Sequence, residues 1–134
     1  MNGVVAIRQL LIADAALTAL VPATRIQGGV LPQGTALPSV SITTVSGVDR
    51  NIPSPGATRH VTDRIQATVL AANYPSLLAV MDAVKKASAD KFPTVSGISN
   101  VVVHTDGEGP DFMDETASIY LRTQDFRVSY TETR

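Results

Sequence analysis

Cysteine is absent from this 134-residue chain. Disulfides, thiolate nucleophiles and cysteine-held metals are thereby excluded, a pattern that suits an intracellular protein. Charge is sparse as well: 17% of residues are charged and the formal net charge is −1. A protein that gathers phosphates carries a positive excess or a dense basic patch, so bulk electrostatics gives no support to a nucleic-acid partner. Long hydrophobic runs are also missing. The opening MNGVVAIRQLLIADAALTALVPA is apolar but interrupted by Arg8 and Asp14. It lacks the basic leader and clean apolar stretch of a secretory signal, and no run reaches the roughly 20 residues that span a bilayer. A soluble chain with no membrane contact is expected. The length suffices for one modest core and not for two ordinary domains, so residues 1–134 read as a single domain.

Catalytic signatures are wanting. His60 and His104 stand on expected strands near Asp63 and Asp106, but no HExxH motif accompanies them, and structural histidines are the better reading. Asp106, Glu108, Asp111, Asp114 and Glu115 crowd a glycine-containing connection. Their spacing is not that of an EF-hand, which favours a solvated acidic loop or a contact for a basic partner over a calcium site. There is no GxSxG elbow for a nucleophile, and GGVLPQG lacks the lysine and hydroxyl residue of a phosphate loop. No enzymatic activity, cofactor or metal is expected.

What is present is periodicity. Val4, Ile7, Leu11, Leu17, Leu20 and Val21 recur at three- and four-residue intervals, predicting an amphipathic helix over 4–20 that Pro22 ends. Residues 22–38 read as a proline- and glycine-rich connection with room for a short strand around Arg25 to Gln27. SVSITTVSG, 39–47, is rich in β-branched residues and predicts a strand. After a breaker-rich loop at 48–60, HVTDRIQATVLAA alternates Val61, Ile65, Ala67, Val69 and Ala71 against Thr62, Arg64, Gln66 and Thr68, with Asp63 the awkward member.

A second helical stripe, Leu77, Leu78, Met81, Val84 and Ala87, follows, with Pro75 in its first turn and Asp82 set to meet Lys86. ISNVVVHT is a further strand, the acidic loop occupies 105–116, and IYLRTQDFRVSY is a long terminal strand. In that strand Tyr120, Phe126 and Tyr130 share a face with Val128. Ile119 and Leu121 join Phe126 and Val128 only if a bulge lies near Thr123 to Asp125, or if both faces are covered. The expected fold is α+β: a small antiparallel or mixed sheet of about four strands packed with two helices, in the order α-β-β-α-β-β.

The segments ADAALTALV, RIQGGVLPQGTALPSVSI, DRIQATVLAANYPSLLAVMDAVKKA and DETASIYLRTQDFRVSY, taken in order and spacing, resemble the tail completion or tail terminator proteins of long-tailed phages and prophages. The resemblance covers nearly all of residues 4–130 and rests on diffuse motifs such as the LPxxxI-like Leu37–Ile42 and the terminal DFRV. It implies a virion subunit at the tail-neck junction, assembled in the host cytoplasm. Such a subunit forms a homohexameric ring at the head-proximal end of the tail tube, stops tube polymerisation and offers the surface to which the head joins. Implied partners are the major tail tube protein and a head-completion or connector protein, with DNA passing through the ring without sequence-specific contacts. The alternatives are another ring-forming neck component or a monomeric module that binds a peptide at a sheet edge. A ring needs complementary patches at different places on one subunit. The candidates for exposed contacts are Arg50, Arg59, Asp111, Phe112 and Asp114, joined by Arg64 and Arg122 on exposed strand faces.

Overall fold

The structure, a computed structural model, describes residues 2–29, 31–32, 34–54, 56–116 and 118–133. The first helical stripe forms two helices rather than one. In α1 (Asn2–Ala13), Gly3, Ala6, Ile7 and Leu11 are buried at helical spacing. Asp14 then leaves the helix with φ −86° and ψ 114°, and its carboxylate accepts from the backbone N–H groups of Ala16 and Leu17, capping α2 (Ala15–Leu20). Such a cap satisfies donors that the next helix would otherwise leave open. A 3-10 turn at Ala23–Arg25 leads into β1 (Ile26–Gly28).

Among the described residues the sheet has six strands where about four were expected and the helices number three where two were expected, so the order runs α-α-β-β-β-α-β-β-β in place of α-β-β-α-β-β. Strand β2 (Ser39–Asp49) lies parallel to β1 and antiparallel to β3 (Thr58–Ala71). In turn β3 pairs with β6 (Ile119–Thr133), and β6 with β4 (Ile98–Glu108), both antiparallel. The sixth strand, β5 (Phe112–Asp114), pairs with Ile119–Leu121 of β6, completing the order β1-β2-β3-β6-β4 with β5 beside β6. The two additional strands are three residues each, too short to show alternation; they exist because a long neighbour offers them a ladder.

Helix α3 (Tyr74–Ser88) starts at Asn73, whose side chain accepts from the Ser76 N–H, with Pro75 in the first turn. The expected Asp82–Lys86 pair forms at 2.9 Å. Leu78, placed in the apolar stripe, is 38% exposed, and Val80 takes its place against the core. All helices cover one face of the sheet. That face carries the odd residues Val61, Ile65, Ala67, Val69 and Ala71 of β3 and the even residues Phe126, Val128 and Tyr130 of β6, all buried.

No bulge interrupts β6: its register with β3 is continuous from Thr58↔Thr133 to Ala71↔Tyr120. Ile119 and Leu121 therefore lie on the opposite face from Phe126 and Val128, half-buried, and the irregularities fall in β4 instead, at Ser99/Val102 and Thr105/Gly107.

Asp63 points into the helix-covered face at 5% exposure. It accepts a hydrogen bond from the Tyr130 hydroxyl at 2.9 Å. Its niche exists because two glycines border it. A Cβ on Gly3 would come within 2.9 Å of Asp63 Oδ2, and one on Gly47 within 2.7 Å of Oδ1. Burial raises the Tyr130 pKa, and the hydrogen bond to Asp63 raises it further, since both disfavour the phenolate. Among the described residues no helix is long and apolar enough to cross a membrane.

Candidate interaction surface

Alternation along β3 and β6 places a second set of side chains on the sheet face that no described helix covers. Because Arg64 is in register with Arg127, and Gln66 with Asp125, long polar side chains of neighbouring strands meet there. Arg64 Nε donates to Asp125 Oδ2 at 2.9 Å, and Gln66 Nε2 donates to Asp125 Oδ1 at 3.1 Å. Asp106, on the bulged part of β4, accepts from Arg127 at 3.2 Å and lies 3.8 Å from Arg64. The hydrogen bond to Asp125 and its negative charge raise the Arg64 pKa above its ordinary value, so the guanidinium stays charged throughout. Ser46, Val48, Thr62, Arg64, Asp106 and Arg127 line an open depression of about 420 Å³. Two arginines and two aspartates balance there, which suits a polar partner surface better than a phosphate.

A second charged group lies on the helix-covered side, toward the other end of the sheet. Arg122 donates to Glu108 at 2.7 Å and reaches Asp111 at 3.4 Å, while Lys85 of α3 also pairs with Glu108. The Tyr74 hydroxyl donates to Asp111 at 2.5 Å, which raises its pKa, and the Tyr74 ring lies 6.1 Å from that of Tyr120. The acidic connection is thus tied down by cations from α3 and β6. Beside it Phe112 is 65% exposed and Met113 41% exposed. Neither side chain anchors the connection to the core; strand pairing of β5 with β6 holds it there.

At the opposite end of the sheet, Arg50 opens the turn from β2 to β3 and Arg59 stands at the start of β3, in register with Glu132 of β6. The Arg50 N–H donates to the His60 carbonyl at 2.9 Å, and the Arg59 guanidinium donates to Asn51. The seven candidate contacts therefore separate into three places. Arg50 and Arg59 flank the β2–β3 turn, Arg64 lies on the uncovered face, and Asp111, Phe112, Asp114 and Arg122 gather around β5.

Sequence reading did not group Arg127, Asp106 and Asp125 with Arg64, nor Tyr74 and Lys85 with Asp111 and Glu108. Only strand register, which no local pattern encodes, brings them together. His60 and His104 lie on β3 and β4, which are separated by β6. His104 Nδ1 is 2.9 Å from Asp90 Oδ1, not paired with Asp106. Among the described residues no group of three or more metal-ligating side chains converges.

Comparison with protein families finds that the model described as "Tail completion protein gp17" matches residues 5–131. Among solved structures, a chain of the "Virion of native gene transfer agent (GTA) particle" is similar with a TM-score of 0.68 and 19% identity, covering 95% of this chain and 92% of that one. At that identity the likeness establishes the fold. Comparison with curated protein sequences finds no match.

Proposed function

From the membership of this chain in the tail completion protein gp17 family, a structural and non-catalytic family of the phage virion, we propose that the protein closes the tail tube as a ring. The subunit sits at the head-proximal end of the tube, halts further addition of tube subunits and presents its outer surface to the head. Six copies suit a tube of six-fold symmetry, and the ring leaves a passage for DNA without reading its sequence. Assembly takes place in the host cytoplasm. The tube subunit and a head-completion or connector protein are the partners. Arg50, Arg59, Arg64, Asp111, Phe112, Asp114 and Arg122 are proposed as contacts.

The observation that carries this reading is the extent of the family match. It spans residues 5–131 and so includes all of the helices but the first residues of α1, and nearly the whole sheet. A match to the core alone would speak only for the fold; this one also takes in the β2–β3 turn and the β5 flank. The exposed Phe112 and Met113 suit a subunit completed by neighbours.

The test is tube polymerisation from purified tube subunits, followed by electron microscopy. With the protein present, tubes stop growing and carry added density at one end; without it they elongate to a broad length distribution. Tubes whose length distribution is unchanged by a molar excess of the folded protein refute the proposal.

A further inference from the structure

A sheet of this kind must protect two outer edges, and among the described residues this one protects them unequally. The outer edge of β4 is blunted in several ways. It bulges twice, Asn100 and Gly107 adopt positive φ, and the Val103 N–H donates to the Lys91 carbonyl at 3.0 Å. The β2 edge is different. Strand β1 covers only Val40–Ile42, and Thr43–Val48 have β3 on one side and no described strand on the other. That stretch, TTVSGV, holds no charge and no proline. Its bulge, between Thr44 and Ser46, surrounds Val45, which is 47% exposed; Val48 is 66% exposed and Ile52, in the turn beyond, 53%.

We propose, resting on the ring reading above, that this edge and the turn beyond it form the socket for a second copy of the chain, and that the acidic β4–β5 flank of that copy is the group it receives. Two kinds of complementarity select this occupant. Residues 50–60 carry Arg50 and Arg59 and no acid, whereas residues 105–116 carry Asp106, Glu108, Asp111, Asp114 and Glu115 and no base. Apolar side chains match as well, with Val45, Val48 and Ile52 on one side and Phe112 and Met113 on the other.

Inside one subunit β5 is held away from the β2 edge by β3 and β6, and only Asp106 of the acidic flank shares a depression with Ser46 and Val48. Between copies they meet head to tail. This is a heterologous contact, which leaves the same pair of surfaces available at each end and closes when the rotation permits. Within the subunit, Arg122 and Lys85 occupy Glu108, and Arg122 with Tyr74 engages Asp111. Asp114, whose Oδ1 accepts from the Thr116 N–H at 3.1 Å, and Glu115 are exposed at the end of β5 beside Phe112 and Met113. The open β2 ladder supplies backbone donors and acceptors, so strand addition and charge pairing act together.

The test is charge exchange. Arg50→Glu with Arg59→Glu forms one variant, Asp114→Lys with Glu115→Lys a second, and the third combines all four substitutions. Each is checked for a cooperative thermal transition and then assayed for rings, alone and with tail tubes, by light scattering at low salt. Placing like charges across the contact lowers the ring fraction about tenfold or more in the first two variants, and the third regains it. Val45→Lys, which puts a charge on the open edge, lowers it while the monomer stays folded. If the wild type forms rings and all four folded variants form them equally well, this pairing is wrong while the ring reading stands. If the folded wild type stays monomeric even at tube ends, both are wrong.

Discussion

Replacing Gly3 by alanine tests the packing of α1 against the sheet, because two physical effects predict opposite signs. In a helix interior, glycine is less favourable than alanine by about 0.8–1.0 kcal/mol, so propensity alone predicts stabilisation. Against this stands space. The new Cβ would sit 2.8 Å from Ile65 Cδ1, 2.9 Å from Ile65 Cγ1 and 2.9 Å from Asp63 Oδ2. Both side chains are enclosed: Ile65 is 0% exposed and Asp63 5%, and Asp63 is held by the Tyr130 hydroxyl.

Forcing a methyl group into such a core costs roughly 1–3 kcal/mol. Subtracting the propensity gain leaves a net loss of up to about 2 kcal/mol. For a chain of this size that lowers the melting temperature by up to roughly 8 °C. Thermal and urea unfolding of the two proteins provide the assay. Pairing Gly3→Ala with Ile65→Val removes the Cδ1 contact, so the double variant loses less than the sum of the singles. A Gly3→Ala protein that is more stable than the parent refutes the close approach of α1 to Asp63 and Ile65.

Three further substitutions probe other parts of the fold. Tyr130→Phe leaves the buried Asp63 carboxylate without its hydroxyl donor and lowers stability at neutral pH by about 1–3 kcal/mol in urea titration. The Tyr130 pKa is raised by folding above its ordinary value of 10.0, so its contribution is fully present below that pH and fades as the pH rises through the folded-state value; alkaline unfolding curves of wild type and Tyr130→Phe therefore converge. Asp14→Ala removes the α2 cap and costs about 1 kcal/mol by the same unfolding assay. Phe112→Ser, at a side chain 65% exposed, shifts monomer stability by no more than about 0.5 kcal/mol but weakens self-association measured by sedimentation.

Much of the fold was legible because burial imposes a period. The alternation of β3 identified its core face correctly, and Asp63, out of pattern there, proved to be the residue with a purpose-built niche between Gly3 and Gly47. The face shared by Phe126, Val128 and Tyr130 was legible in the same way. Of the two arrangements open for Ile119 and Leu121, a bulge near Thr123 to Asp125 or cover on both faces, the unbroken β3–β6 register removes the bulge. Leu121 joins Leu31 and Leu70 around a depression of about 260 Å³ on the uncovered face.

The break between α1 and α2 had a local signal, an aspartate before an alanine-rich turn, that the continuous apolar stripe concealed. β1 was legible as a short strand around Arg25 to Gln27, one residue off its place at Ile26–Gly28, whereas β5 had no signal, since a three-residue strand takes its conformation from a partner remote in sequence. The charged groups around Arg64 and Arg122 were hidden for the same reason. Residue types on a strand are readable locally, but which of them meet is decided by register across β3, β6 and β4.

The central claim, that this tail-completion protein closes the tube as a ring, is tested most directly by mass. Light scattering of the purified protein, followed by co-pelleting with assembled tail tubes, is predicted to give either a six-fold mass in solution or a monomer that binds tubes at about one ring per tube end. A folded monomer that ignores tube ends contradicts the claim.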